Sequence, residues 1–136
     1  MRRRRPPALD WVAFIIVRDD AVLAVRRKCD KPVAPGVLAL PGGHVDPGET
    51  IPEALARELR EELGVEAHQP RLVCRRIHRS TENRRPHYYA IEAWGGELRC
   101  LEAESLHWVR FEDVQHLDLQ VDREAVSTYL SVRQRF

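Results

Sequence analysis

The chain has 136 residues, 43% of them hydrophobic and 7% aromatic, with 22 Lys and Arg against 21 Asp and Glu. That is enough chain for one domain that closes its core without disulfides or structural metal, and no run approaches the roughly 18 apolar residues of a membrane span. Cys29, Cys74 and Cys100 are odd in number and widely spaced, which argues against a disulfide framework and fits reduced thiols in a cytoplasmic protein.

Arg2 to Arg5 lead into Pro6-Pro7 rather than into the apolar core of a signal peptide. Residues 1–8 are expected to be a disordered basic tail and 9–136 a single domain. The β-branched and aromatic run 9–18 and the run 21–26, separated by Asp19-Asp20, predict a hairpin. A short strand at 37–40 should be broken by Pro41-Gly42-Gly43, which starts a loop. A helix is predicted over 51–63: Thr50 and Glu53 make a capping-box pair, and Gly64 stands where a left-handed cap belongs. Further strands are expected at 71–79, 86–94, 97–101 and 106–111, with Gly95-Gly96 as a tight turn. Ala125, Val126, Tyr129 and Leu130 share one stripe of a last helix over 122–133. Strands interleaved with two helices predict an α/β fold, a mixed β-sheet packed between helices.

Charge is segregated although it nearly cancels. Residues 1–31 and 71–85 each carry a net +5, and residues 43–66 carry −5. Two readings fit: ordinary solvated faces, or a cation held on carboxylates with arginines around an anionic substrate.

The central helix is the most informative segment. At ~100° per residue, Pro52, Leu55, Ala56, Leu59 and Leu63 share its apolar face. Glu58, Glu61 and Glu62 form an acidic stripe beside that face. Like charges at these spacings repel, and the C-terminal half of a helix disfavours anions. A solvated face is one explanation; a hard divalent cation, Mg²⁺ or Mn²⁺, would reverse both penalties.

The surrounding residues decide in favour of the cation. Gly43, five residues, Glu49, seven residues, then Arg57-Glu58-Leu59-Arg60-Glu61-Glu62-Leu63-Gly64-Val65 match every specified position of the Nudix box. The chain therefore resembles the Nudix hydrolases, which implies their α/β/α sandwich and metal-dependent hydrolysis of a nucleoside diphosphate linked to another group. By that resemblance Glu58, Glu61 and Glu62 would bind Mg²⁺, with Mn²⁺ as substitute, helped by the main-chain carbonyl of Gly43. Glu49 and Arg57 would support them, and Glu58 or Glu61 would act as general base. In some members a further carboxylate lies outside the box. Glu102 and Glu104 are the candidates here, Glu102 being the preferred one.

The short length, Trp94-Gly-Gly-Glu-Leu98 and Leu106-His-Trp108-Val look most like MutT-type nucleoside triphosphate pyrophosphohydrolases. The expected reaction turns a nucleoside triphosphate, standard or oxidised, into the monophosphate and pyrophosphate. The alternatives are ADP-ribose, a nucleotide sugar or a dinucleoside polyphosphate as substrate, or, from other classes, a non-catalytic nucleotide-sensing domain or an RNA-end processing protein. Arg26, Tyr88 and Trp108 are the expected substrate-binding residues, and Arg27 and Lys28 are further cations within reach of the distal phosphates. The expected partner is a small-molecule nucleotide, with neither membrane nor nucleic acid involved; monomer and homodimer stay open.

Overall fold

Strict alternation along the first strand sorts its side chains between two cores. β1 (Leu9–Arg18) sends Trp11, Ala13 and Ile15 to one face of a sheet and Val12, Phe14 and Ile16 to the other. The computed structural model describes residues 8–32, 35–79 and 83–133; the arginine tail lies outside them.

β1 pairs antiparallel with β2 (Ala21–Arg26) across the Asp19-Asp20 turn, as expected. β3 (Leu38–Ala39) adds to β2. Pro41-Gly42-Gly43 does not open a loop directly: β4 (Gly42–His44) pairs with Trp11 to Ala13. A Cβ at Gly42 would overlap the main chain of Val12, so only glycine fits that close approach.

Helix α1 (Ile51–Leu63) has the predicted bounds and the predicted capping box, and Gly64 caps it at φ 70°. Its buried face is rotated from the expected one. Ala54, Leu55, Glu58, Leu59 and Leu63 are buried, whereas Pro52 and Ala56 are exposed. The rotation carries Glu58 inward.

After α1 come β5 (Glu66–Ala67), β6 (Arg71–Arg75), β7 (His78–Arg79), β8 (Asn83–Ile91), β9 (Trp94–Gly95) and β10 (Ser105–Arg110). The strand expected over 71–79 is interrupted at Arg76-Ile77, and the one expected over 86–94 runs three residues earlier. β8 lies parallel to β1 through eight register pairs, and the other pairings are antiparallel, so the sheet is mixed, in the order β10-β2-β1-β8-β6. No strand forms at 97–101, and Gly95-Gly96 is not a hairpin turn: β9 pairs back to β5 instead.

A 3₁₀ turn, Phe111–His116, precedes α2 (Gln120–Val132). α2 packs Ala125, Val126 and Tyr129 on the Trp11 face, and α1 packs on the Phe14 face. This is the expected α/β/α sandwich. No helix among the described residues is long and apolar enough to cross a membrane.

Candidate functional site

Arg57 organises the box. Its Nε and Nη2 donate to the two oxygens of Glu49 at 2.7 and 2.9 Å, Nη1 donates to Glu58 at 2.8 Å and Glu61 at 3.1 Å, and Nη2 also reaches the His44 carbonyl at 2.9 Å. The planar guanidinium thereby joins the loop before α1, β4 and two acids of the stripe. These bonds hold the Arg57 proton well above its ordinary range and pull Glu49 below its own.

The carboxylates part into two groups. Glu49 and the exposed Glu61 belong to Arg57. Glu58, Glu62 and Glu102 each place an oxygen within 4.8 Å of the others'. Glu102 arrives on the segment after β9, whose amides satisfy the end of α1: Arg99 N–H donates to the Leu63 carbonyl at 2.9 Å and Leu101 N–H to that of Glu62 at 3.1 Å. Glu104 is held elsewhere, its N–H on the Arg26 carbonyl at 2.9 Å.

Burial, then the neighbouring Glu58 and Glu102 charges, push Glu62 well above the usual carboxylate range. Burial raises Glu58 as well, against the lowering pull of Arg57. Glu62 Oε2 is buried with no hydrogen-bond partner, and at Gly43 a Cβ would overlap the Glu58 carboxyl group. Three converging carboxylates, one of them with an orphaned buried oxygen, fit a hard divalent cation.

Two cavities meet at this cluster. One lies under α2 and is walled by Trp11, Tyr88, Arg84, Leu119 and Asp122. The other, the larger, is lined by Glu58, Glu62 and Glu102 and by Arg27, Lys28 and Lys31. Trp11, Val25, Arg27, Gly42 and Glu62 line both.

The family-model comparison matches residues 8–130 to the NUDIX domain. This chain belongs to the NUDIX family. An Escherichia coli K12 protein named CTP pyrophosphohydrolase is 32% identical over 134 residues, 92% of this chain and 93% of that protein. Nucleoside triphosphatase NudI of Escherichia coli O1:K1 is 53% identical over 53 residues, 39% of this chain and 38% of that protein. The crystal structure of a MutT NUDIX hydrolase from Burkholderia pseudomallei superimposes with a TM-score of 0.82 at 29% identity, covering 90% of this chain and 98% of the other. The chain is thus a MutT-like Nudix hydrolase, an enzyme that cleaves phosphoric anhydride bonds, in a family that uses a divalent metal.

Among the expected substrate contacts, the Nudix fold brings Tyr88 to the α2-side cavity, where it is buried and its hydroxyl donates to Asp122 at 2.6 Å. It does not bring Arg26 or Trp108. Arg26 donates to the Gly36 carbonyl at 3.2 Å and lies 3.9 Å from Asp118. It points to the opposite face from Val25 and Arg27, one step of strand alternation away. Trp108 pairs with Leu23 and stacks with the Arg18 guanidinium 4.8 Å from its ring, toward the Asp19-Asp20 turn. Asp122 and Lys31 were not singled out by the sequence. Asp122 meets Tyr88 and Leu40 across 34 and 82 residues, a closeness no local pattern carries.

Proposed function

We propose that this Nudix hydrolase converts a nucleoside triphosphate into the monophosphate and pyrophosphate, with Mg²⁺ held by Glu58, Glu62 and Glu102. The observation that carries the reading is the single waist, Trp11, Val25, Arg27, Gly42 and Glu62, shared by an aromatic cavity and a cavity with acidic and basic walls. The aromatic cavity suits a nucleobase, with Trp11 and Tyr88 as its flat walls and Asp122 and Arg84 as acceptor and donor.

Bound Mg²⁺ neutralises phosphate charge and makes the attacking water more acidic. The protein does the rest. Arg27 sits at the waist, where phosphate must pass from one cavity to the other. Glu58 or Glu61 takes the water's proton, and Arg57, bonded to both, sets their positions. Water attacks phosphorus, the bridging P–O bond breaks, and pyrophosphate leaves with the electron pair.

The test is a Mg²⁺-supplemented panel of nucleoside triphosphates, nucleotide sugars, ADP-ribose and dinucleoside polyphosphates, with products identified by chromatography. The relative named CTP pyrophosphohydrolase places cytosine nucleotides first in that panel. Monophosphate plus pyrophosphate is the expected outcome. Release of orthophosphate and a diphosphate, or turnover of nucleotide sugars alone, overturns the reading.

A further inference from the structure

Besides the carboxylates, the larger cavity is lined by Lys28, Lys31 and Pro32, on the loop that leaves β2. Both lysines are exposed, and their side chains make no ion pair with any described residue. Glu58, Glu62 and Glu102 line the same cavity. Its aromatic rings, among the described residues, are Trp11, which also lines the waist, and His44, edge-on to Trp11 at 4.2 Å. A group lodged at the lysines meets two ammonium ions. Such a subsite suits a free phosphate better than a neutral sugar.

We infer that Lys28 and Lys31 form the subsite for the terminal phosphate of the leaving group, and so select substrates whose leaving group is pyrophosphate rather than orthophosphate or a phosphate monoester. The inference rests on the triphosphate reading above and adds to it the residues that enforce the choice. With the base in the α2-side cavity and the scissile phosphates at the carboxylates, the γ-phosphate falls beyond them, at the lysines. A nucleoside diphosphate of the same base leaves this subsite empty.

The experiment compares kcat and KM for a nucleoside triphosphate, its diphosphate and a sugar-linked diphosphate of the same base, in the wild type, the Lys28→Ala/Lys31→Ala double variant and the Lys28→Arg/Lys31→Arg double variant. Ionic strength and Mg²⁺ are held constant, and competitive inhibition by inorganic pyrophosphate is measured alongside. The alanine pair should lower kcat/KM for the triphosphate about 30-fold, chiefly through KM, while the diphosphate changes less than about 3-fold. Pyrophosphate inhibition should weaken in parallel, and the arginine pair should restore both. An equal loss on all three substrates, or an unmoved triphosphate-to-diphosphate ratio in a wild type that prefers triphosphate, overturns the lysine assignment alone. A wild type that prefers the sugar-linked substrate overturns the triphosphate reading as well.

Discussion

Each face of the sheet buries a carboxylate, and the two are treated in opposite ways. On the α2 side, Asp122 takes the Tyr88 hydroxyl on Oδ1 at 2.6 Å and the Leu40 amide on Oδ2 at 3.0 Å. On the α1 side, Glu62 Oε2 has no donor and faces two more glutamates. Burial is the first cause of the raised proton affinity in both. What differs is the remedy: the protein supplies hydrogen-bond donors to Asp122 and none to Glu62 Oε2, the oxygen we assign to the proposed cation. A buried acid with its bonds made belongs to the architecture of a pocket wall; one with a bond missing marks where chemistry is done.

The sharpest way to break this contrast is Glu62→Gln. Mg²⁺-dependent turnover should fall at least ~1000-fold, because a ligand of the cation is lost. The melting temperature of the metal-free protein should not fall, since the change removes a buried repulsion rather than a bond. A variant that melts lower and still turns over would show Glu62 to be structural.

Next come the two acids outside the box. Glu102→Gln should cost about 100-fold in turnover and Glu104→Gln less than about 3-fold, measured at saturating Mg²⁺. The reverse order would remove Glu102 from the cation site.

The third prediction concerns the other face. Asp122 is raised from 3.8 to about 6 in the folded chain. The fold therefore holds its proton more tightly than the unfolded chain does. Its favourable contribution is complete below pH ~3.8 and is lost as pH rises through ~6, amounting to about 3 kcal/mol. Denaturant titrations from pH 4 to 7 should show a slope in Asp122→Asn that is shallower than the wild type's by that amount, the raised Glu58 and Glu62 contributing equally to both. The amide's lost bond to Leu40 lowers the whole curve without tilting it, so only matching slopes would refute the assignment.

The smallest effect belongs to Trp108→Ala. Turnover should stay within about 2-fold, and stability should fall by about 1 kcal/mol or less as the Arg18 stacking is lost. A large loss of turnover would return this tryptophan to the substrate.

The sequence was most legible where a segment's fate is local. The β-branched and aromatic runs within 9–26 and the Thr50-Glu53 box determine β1, β2 and α1 with hardly any help from elsewhere. It was least legible where a distant group decides. Segment 97–101 has the residues of a strand, yet the amides of Arg99 and Leu101 go to helix carbonyls, so no strand partner claims them. Trp108 and Glu104 are four residues apart, but β10 runs antiparallel to β2. Its start therefore meets Arg26 near the site, while Trp108 is carried toward the far turn. That the box acids share one stripe was legible from their spacing, but not that Glu61 is tied to Arg57 while Glu62 turns inward. That depends on how far α1 rotates against the sheet.

The Arg99 and Leu101 amides also make the site cooperative. Glu62 lies in the last turn of α1, and Glu102 is suspended one residue beyond the amide that binds the Glu62 carbonyl. If Glu58, Glu62 and Glu102 hold the cation as proposed, fraying of that turn does not trim one ligand from three; it releases two at once. Cation affinity and helix-end opening are then a single equilibrium, so deuterium uptake at these two amides should slow together when Mg²⁺ is added, by the factor that the ion gains in binding.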